Sequence, residues 1–226
     1  MDSLPDAIDR FTAVIASGLR SKLVWDQLLD YCRKCDPKAP WKSFPRLAFA
    51  VPTKRLAASL KKILRSDPGT TGVFLQVPSF HAAFPSSSDV SFGVSSQKVE
   101  DVFSPDWVEG AMKLMGHCNV EEFRYIDLFL RENVPQAAEF GLDYLLHLCY
   151  LGVIFRDACD TAARSVTQPV SMAWGFGGGD YFCMGVLAAG SFYRSGTKSV
   201  DEFFKIHNDG KSKGGAVTRT KPASGQ

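Results

Sequence analysis

The chain has 226 residues, of which 45% are hydrophobic and 22% are charged. This composition is typical of a globular protein with a sizeable core, in one large domain or two small ones. The formal net charge of only +2 excludes a chain that is basic throughout.

Three features of the sequence indicate where the protein acts. The first six residues are acidic overall and lack an apolar signal core, so we expect a cytoplasmic rather than a secreted protein. Six cysteines at irregular spacing indicate free thiols rather than a disulfide framework. The most apolar run, Phe140–Phe155, has 16 residues and contains Asp143 and His147. It predicts a buried helix, and no membrane span is expected.

The first third of the chain predicts three helices, because apolar residues recur there with the period of an α-helix. Pro37 and Pro40 break the chain between the second and third helices. A short strand or extended segment is expected before the third helix, where Pro52 ends the segment and Thr53 is the expected N-cap. The predicted ranges are 5–19, 21–34 and 53–65 for the helices and 46–51 for the extended segment.

Residues 69–105 are predicted to form a long irregular insertion, because they are rich in Ser, Pro, Gly and Phe. One strand is expected within this insertion, at Gly72–Val77. Loops of such length inside a compact domain are commonly functional or form interfaces. We therefore expect the aromatic residues of 72–107 to supply contacts between subunits.

The remainder of the chain predicts helices followed by a tail. A capping box that starts at Ser199 opens the last helix. From His207 onward the chain lacks large apolar groups apart from Val217, which predicts a flexible basic tail over 207–226. The fold class expected is mainly α, a helical bundle in a single domain of residues 1–206 with one irregular insertion. The predicted helices in this part are 106–116, 120–133, 137–164, 181–192 and 199–206.

Positive charge is concentrated in one segment of the sequence. Ten basic side chains lie between Arg33 and Arg65 with only Asp36 opposing them, a net charge of +9, whereas residues 66–206 carry −8. Such a segment in a nearly neutral protein indicates an anionic partner. On the third predicted helix the apolar side chains share one face and the basic ones lie opposite. The candidate nucleic-acid-binding residues are Arg46, Lys54, Arg55, Lys61, Lys62 and Arg65.

Three interpretations of this basic helix remain open at the level of sequence. The first is a solvated face of an ordinary amphipathic helix. The second is a site for nucleic-acid phosphates, where each bound cation releases counterions and affinity falls with salt. The third is docking on an anionic membrane surface. The neighbouring basic segment and the basic tail favour nucleic acid.

Cysteine and glycine motifs offer weaker hypotheses. Cys32 and Cys35 form a C-x-x-C sequence, which together with His117 and Cys118 could supply four zinc ligands. No second C-x-x-C and no βαβ pattern accompany the first, so buried or half-buried thiols are favoured. The Gly-rich stretch 175–179 lacks the Gly-Lys-Ser/Thr of a phosphate loop, and a hinge or packing turn is favoured. We predict neither a metal nor a cofactor.

A catalytic interpretation centres on His147, which follows Asp143 by four residues and precedes Cys149 by two. A Cys–His nucleophile pair would require these side chains to be adjacent in space, and a histidine buried in the core is the favoured alternative. No G-x-S-x-G or H-E-x-x-H motif occurs. The sequence therefore predicts a protein that is not an enzyme.

Charged residues end the most apolar predicted helix. Arg156 and Asp157 are adjacent, and Asp160 follows Arg156 by four residues, the spacing of an ion pair along a helix. One interpretation is a solvated turn at the helix exit. The other is a partly buried structural ion pair between Arg156 and Asp160, which would fix the packing more than it adds stability.

Short motifs from Leu28 to Ile63 are shared with a known family. Leu28-Leu29 is followed by a connection broken by prolines and containing Cys35, and then by Phe44-Pro45. Next come an extended stretch and a helix that opens with Lys54-Arg55 and continues with apolar residues. This stretch resembles part of the coat proteins of rod-shaped plant RNA viruses, the tobravirus-like and tobamovirus-like group. The segment Ser191–Arg194, followed by Glu202-Phe203, is similar to an aromatic–Arg…Glu/Phe pattern near that family's last core helix.

The resemblance implies an α-helical bundle that stacks into a helical tube around genomic RNA, with Lys54 and Arg55 facing phosphates. The expected function is that of a self-assembling, RNA-binding structural protein of viral coat or nucleocapsid type, located in the virion if the source is viral. The alternative is an adaptor or regulatory module that docks onto an anionic membrane or a protein partner. In both cases the basic helix is the expected contact surface.

Overall fold

The computed structural model describes residues 3–77, 89–97, 101–108, 113–176 and 181–212, with side chains of the last helix described to Ile206. These residues form six α-helices and one six-stranded mixed sheet. The prediction of a mainly α bundle is therefore wrong, and the fold is α/β. The helices are α1 (Leu4–Ala16), α2 (Ser21–Cys35), α3 (Ala50–Ser66), α4 (Glu122–Asn133), α5 (Leu142–Ala162) and α6 (Ser199–Ser212). The strands are β1 (Gly72–Val77), β2 (Asp89–Ser95), β3 (Lys113–Asn119), β4 (Val170–Phe176), β5 (Tyr181–Ala188) and β6 (Ser191–Arg194).

The sheet joins two antiparallel meanders side by side. The strand order is β3-β2-β1-β4-β5-β6, and only the central pair, β1 and β4, is parallel. A parallel pair requires a long return connection, and α4 and α5 carry the chain from β3 back to the start of β4. The two edges of the sheet are therefore β3 and β6.

Helix α5 forms the centre of the main core. Almost every side chain from Leu142 to Cys159 is buried, because α1, α2, α3 and α4 pack around this helix and the sheet lies against it. A helix enclosed on all sides needs no polar stripe. The burial of α5 confirms the prediction of a buried apolar helix. The helix is shorter than the predicted 137–164. It starts after Gly141, whose φ of +62° lies in the left-handed region that glycine tolerates.

Both faces of the sheet are covered, and this explains the wrong prediction of a helix at 181–192. In β1, Val73 and Leu75 face the main core, while Phe74 between them packs with Val108 on the opposite face. Strands buried on two sides carry continuous apolar runs, which cannot be distinguished from buried helices by periodicity. The segment 181–192 is in fact β5 and the start of β6.

The second face of the sheet is covered by α6 and by the segment 101–108. The ring of Phe103 lies 5.4 Å from that of Phe203 on α6, and Phe203 lies 5.4 Å from Tyr193 on β6. Helix α6 starts at Ser199, as predicted, and runs to Ser212, beyond the predicted end at 206. Of the predicted flexible tail, residues 213–226 lie outside the described part of the chain.

Other predictions concern residues 69–133 and the Gly-rich stretch 175–179. The strand Gly72–Val77 and the helix at 120–133 are confirmed as β1 and α4. The predicted helix 106–116 is wrong, since a short 3-10 turn at Asp106–Val108 and then β3 occupy this region. The predicted irregular insertion 69–105 contains β1 and β2. The predicted hinge or packing turn at 175–179 lies mostly outside the described residues. Its first two residues, Gly175 and Phe176, end β4.

Candidate nucleic-acid interface

Helix α3 carries the candidate interface and starts earlier than its sequence predicts. It begins at Ala50 with Pro52 in the first turn, where proline is tolerated because its missing N–H would have no helical partner. Thr53 does not cap the helix. Its hydroxyl instead donates to the main-chain oxygen of Ile154 on α5 at 3.5 Å. The predicted extended segment therefore ends at Phe49, because Ala50 and Val51 belong to the helix.

The apolar face of α3 is fixed in the core. Leu56 and Leu60 are fully buried and Ile63 nearly so, and the helix packs against α5 and β3. Because this face is held in place, the opposite face has a defined direction toward solvent. The sequence predicted this division of faces, and the burial confirms it.

The basic face of α3 is defined here as Lys54, Arg55, Lys61, Lys62 and Arg65. All are exposed except Lys61, which is half-buried, and Arg46 is exposed four residues before the helix. Within the described ranges, Lys54, Lys61, Lys62, Arg65 and Arg46 have no carboxylate oxygen within 4.0 Å. The structure thus brings five of the six predicted residues onto one helix face, with most of their charge unpaired.

Arg55 differs from its neighbours because acidic residues at the start of α4 lie close to it and offset part of its positive charge. Its Nη1 lies 3.8 Å from Glu121 Oε1. Burial raises the pKa of the adjacent Glu122, an effect that Glu121 reinforces while a main-chain hydrogen bond and Arg55 oppose it. An anion that approaches Arg55 must therefore compete with two carboxylates of the same chain.

In the earlier half of the basic segment, Lys34, Lys38 and Lys42 are exposed, and among the described residues only Arg33 has a carboxylate partner. Arg33 pairs with Asp30 one turn earlier on α2, which offsets part of the charge there. Lys34 lies at a groove of about 500 Å³ between α1 and α2, in which the Arg10 guanidinium lies 5.2 Å from the centre of the Tyr31 ring. This groove has no signal in the sequence, because it depends on how α1 and α2 pack.

The four candidate zinc ligands do not converge. Cys32 is buried near Cys149, whose thiol pKa is raised well above its ordinary value by burial and also by Cys32. Cys118 packs instead against α3, and the His117 ring on the opposite face of β3 lies with Nδ1 2.9 Å from the Ser91 hydroxyl. Among the residues that the structure describes, no group of three or more His, Cys, Asp or Glu could hold a metal ion.

His147 is fully buried in a structural setting. Its Nδ1 lies 2.7 Å from the main-chain oxygen of Asp143, and its Nε2 lies 3.0 Å from Asp127 Oδ1 on α4. Cys149 is two residues away on the same helix, a rotation of about 200°, so the two side chains point in nearly opposite directions. The arrangement links α4 to α5 and does not form a Cys–His pair.

The charged residues near the end of α5 have other partners than predicted. Arg156 is buried and pairs with the adjacent Asp157 at 2.6 Å, whereas Asp160 pairs with Arg194 of β6 at 2.7 Å. The predicted Arg156–Asp160 pair is therefore wrong. Arg156 points toward the α1–α2 connection, where its Nη1 donates to the main-chain oxygen of Leu19 at 2.7 Å.

Comparison with known proteins leaves the basic face of α3 as the main guide to function. Within the described ranges, none of the helices is both long and apolar enough to cross a membrane. Searches against protein-family models, curated proteins and solved structures found no match.

Proposed function

We propose that the protein is a non-enzymatic, self-associating structural protein that binds single-stranded RNA without sequence preference through the basic face of α3. The coat or nucleocapsid role implied by the resemblance to rod-shaped virus coat proteins is one form of this function. The observation that carries the proposal is the row of cations on one face of α3, four of which have no carboxylate partner among the described residues, while the other face of the helix is fixed in the core.

The geometry of the basic face suits a linear polyanion. From Lys54 to Arg65 the helix rises about 16 Å, and Lys54, Lys61 and Arg65 follow one line along it. Lysine and arginine side chains that contact phosphates neutralise the backbone and carry no sequence information. The basic face therefore supports binding that is independent of sequence and sensitive to salt.

Docking on an anionic membrane is the competing function, and the burial of α3 disfavours it. Interfacial helices insert their apolar face among lipid chains, whereas Leu56 and Leu60 of α3 are already fully buried in the core. A membrane could attract only the exposed charges. Pelleting with vesicles of neutral and of anionic lipid, in the presence and absence of RNA, separates the two functions.

A salt titration of RNA affinity tests the proposal. If the four unpaired cations of α3 each neutralise one phosphate, the logarithm of affinity falls with the logarithm of salt with a slope of about −2.8. Between about 50 and 200 mM salt this slope corresponds to a loss of roughly 50-fold. Fluorescence anisotropy with a labelled uridine oligonucleotide provides the measurement. An affinity that does not change with salt would overturn the proposal.

A further inference from the structure

The two edge strands of the sheet, β6 and β3, differ in length and in the partners of their outer backbone groups. At the β6 edge, the strand has only four residues and the main-chain N–H of Arg194 donates to the Ser199 hydroxyl at the start of α6, at 2.8 Å. At the other edge, β3 has seven residues and, within the described residues, pairs only with β2. One side of the β3 backbone thus offers hydrogen-bonding groups that another strand can use.

The side chains of β3 are also unusually open to solvent. Leu114 is 59% exposed, the highest value among the exposed large hydrophobic side chains of the described residues. Lys113, His117 and Asn119 are exposed as well. An open edge strand with an exposed leucine is a surface on which a further strand can add.

We propose that β3 pairs antiparallel with β3 of a second copy of this chain. Lys113 opens the strand and Glu121 follows its end, and both are exposed. Glu121 also lies 3.8 Å from Arg55 of its own chain, a long contact between two exposed side chains. Antiparallel pairing places the start of one strand beside the end of the other, so each Lys113 lies near Glu121 of the second copy. The two charges attract each other at both ends of the pair, which satisfies the symmetry of a two-fold dimer.

The same residues disfavour other strands. A lysine and a β-bulge are common devices that protect an edge from arbitrary pairing, and β3 has both, since the register with β2 shifts around Met115. A strand without a matching acidic residue leaves Lys113 uncompensated. Because these devices oppose any added strand, pairing with a second copy depends on the attraction between Lys113 and Glu121.

Such a dimer has a consequence for the basic face of α3. In an antiparallel pair of identical strands the two-fold axis is perpendicular to the sheet, so the helices of both copies lie on the same side. Helix α3 lies over β3, since the two elements pack together and the Cys118 side chain of β3 is buried. Two basic faces then flank the axis. This consequence rests on the proposed function, whereas the strand pairing does not.

Sedimentation equilibrium of the RNA-free full chain, over a series of protein concentrations, tests the pairing. We expect a dimer for the wild type, and weakening of about tenfold or more in the variants Lys113→Glu and Glu121→Lys, which place like charges together. The double variant that carries both changes restores the attraction and should recover the dimer. Circular dichroism checks that each variant is folded, since both residues are exposed.

A second comparison distinguishes pairing through the β3 edge from non-specific association of exposed hydrophobic side chains. Leu114→Lys should also abolish the dimer, whereas the same change at the exposed Leu23 of α2 should leave it intact. A wild type that stays monomeric with and without RNA overturns the pairing, as does a dimer that none of the β3 variants affects. Salt-sensitive RNA binding by such a monomer would refute the strand pairing and the self-association but not the RNA binding, while a dimer that fails to bind RNA would refute the RNA binding alone.

Discussion

Gly152 lies directly against the indole of Trp174, so that a Cβ at residue 152 would come within 2.7 Å of Trp174 Nε1. The indole itself cannot easily move, because it is fully buried and its Nε1 donates to the main-chain oxygen of Leu148 at 3.3 Å. The contact joins the middle of α5 to the middle of β4. It sets the distance between the central helix and the sheet.

We predict that Gly152→Ala destabilises the protein by about 1–2 kcal/mol. The added methyl group overpacks a closed contact, and the better helix propensity of alanine offsets only part of this cost. Urea unfolding followed by tryptophan fluorescence measures the change. The matched control is Gly116→Ala, where an added Cβ meets nothing within 4 Å. Equal effects at both positions would show that the Trp174 contact does not restrict residue 152.

Removal of Arg156 should cost about 1–3 kcal/mol, since it leaves the main-chain oxygens that it binds without their donor, whereas the Asp157 side chain is 31% exposed and remains partly solvated. Its guanidinium pairs with Asp157 and donates to the main-chain oxygens of Ile15 in the last turn of α1 and of Leu19 in the α1–α2 connection. We expect Arg156→Met to lower the urea midpoint strongly, with Arg156→Lys intermediate. Arg164→Ala, at an exposed arginine nearby, should change stability by less than about 0.5 kcal/mol. A small effect of Arg156→Met would contradict this role.

The stability of the protein should depend on the charge state of Glu122. Burial raises its pKa above the ordinary value of 4.5, so the folded state holds this proton more tightly than the unfolded state does. The resulting stabilisation is complete below the unfolded pKa and is lost as pH rises through the folded pKa. Glu122→Gln removes this dependence. We predict that the variant gains stability relative to wild type as pH rises from below 4.5 to neutrality, and a constant difference would refute the prediction.

Cys149 should resist alkylation in the folded protein. Burial raises the pKa of its thiol well above the ordinary value, and the thiolate is the reactive form. We expect iodoacetamide to label Cys149 at neutral pH only as fast as the protein unfolds, and rapidly in urea. Mass spectrometry of the digested protein gives the rate at each cysteine. Rapid labelling of Cys149 in the native state would revive the hypothesis of a nucleophile.

The amphipathic character of α3 could be predicted from sequence because one of its faces is exposed to solvent. Leu56 and Leu60 alternate with charged residues at helical spacing, so the period is visible in the sequence. The start of the helix was misplaced by three residues, since Pro52 reads equally as the end of one element or the first turn of the next. The position of the basic side chains on the solvent side of α3 could be predicted for the same reason, whereas their role in binding stays a prediction.

Strands β4 and β5 could not be predicted because they are largely covered on both faces. β4 is buried at every position, and β5 is buried from Met184 to Ala188, so neither alternates between apolar and polar residues. Such runs are compatible with helix or strand. The coupling of α4 to α5 through Asp127 and His147, and the open edge at β3, both depend on tertiary packing and have no counterpart in sequence spacing.

The most direct test of the RNA-binding face compares two sets of charge reversals in one binding assay. Lys54→Glu combined with Lys62→Glu changes two exposed, unpaired cations of α3, and Lys205→Glu changes an exposed lysine of α6 as the control. We predict that the double variant loses about tenfold or more in affinity for a uridine oligonucleotide and that its salt slope becomes shallower by about 1.4. The control should keep both values. Unchanged affinity and slope in the double variant would contradict RNA binding by the basic face of α3.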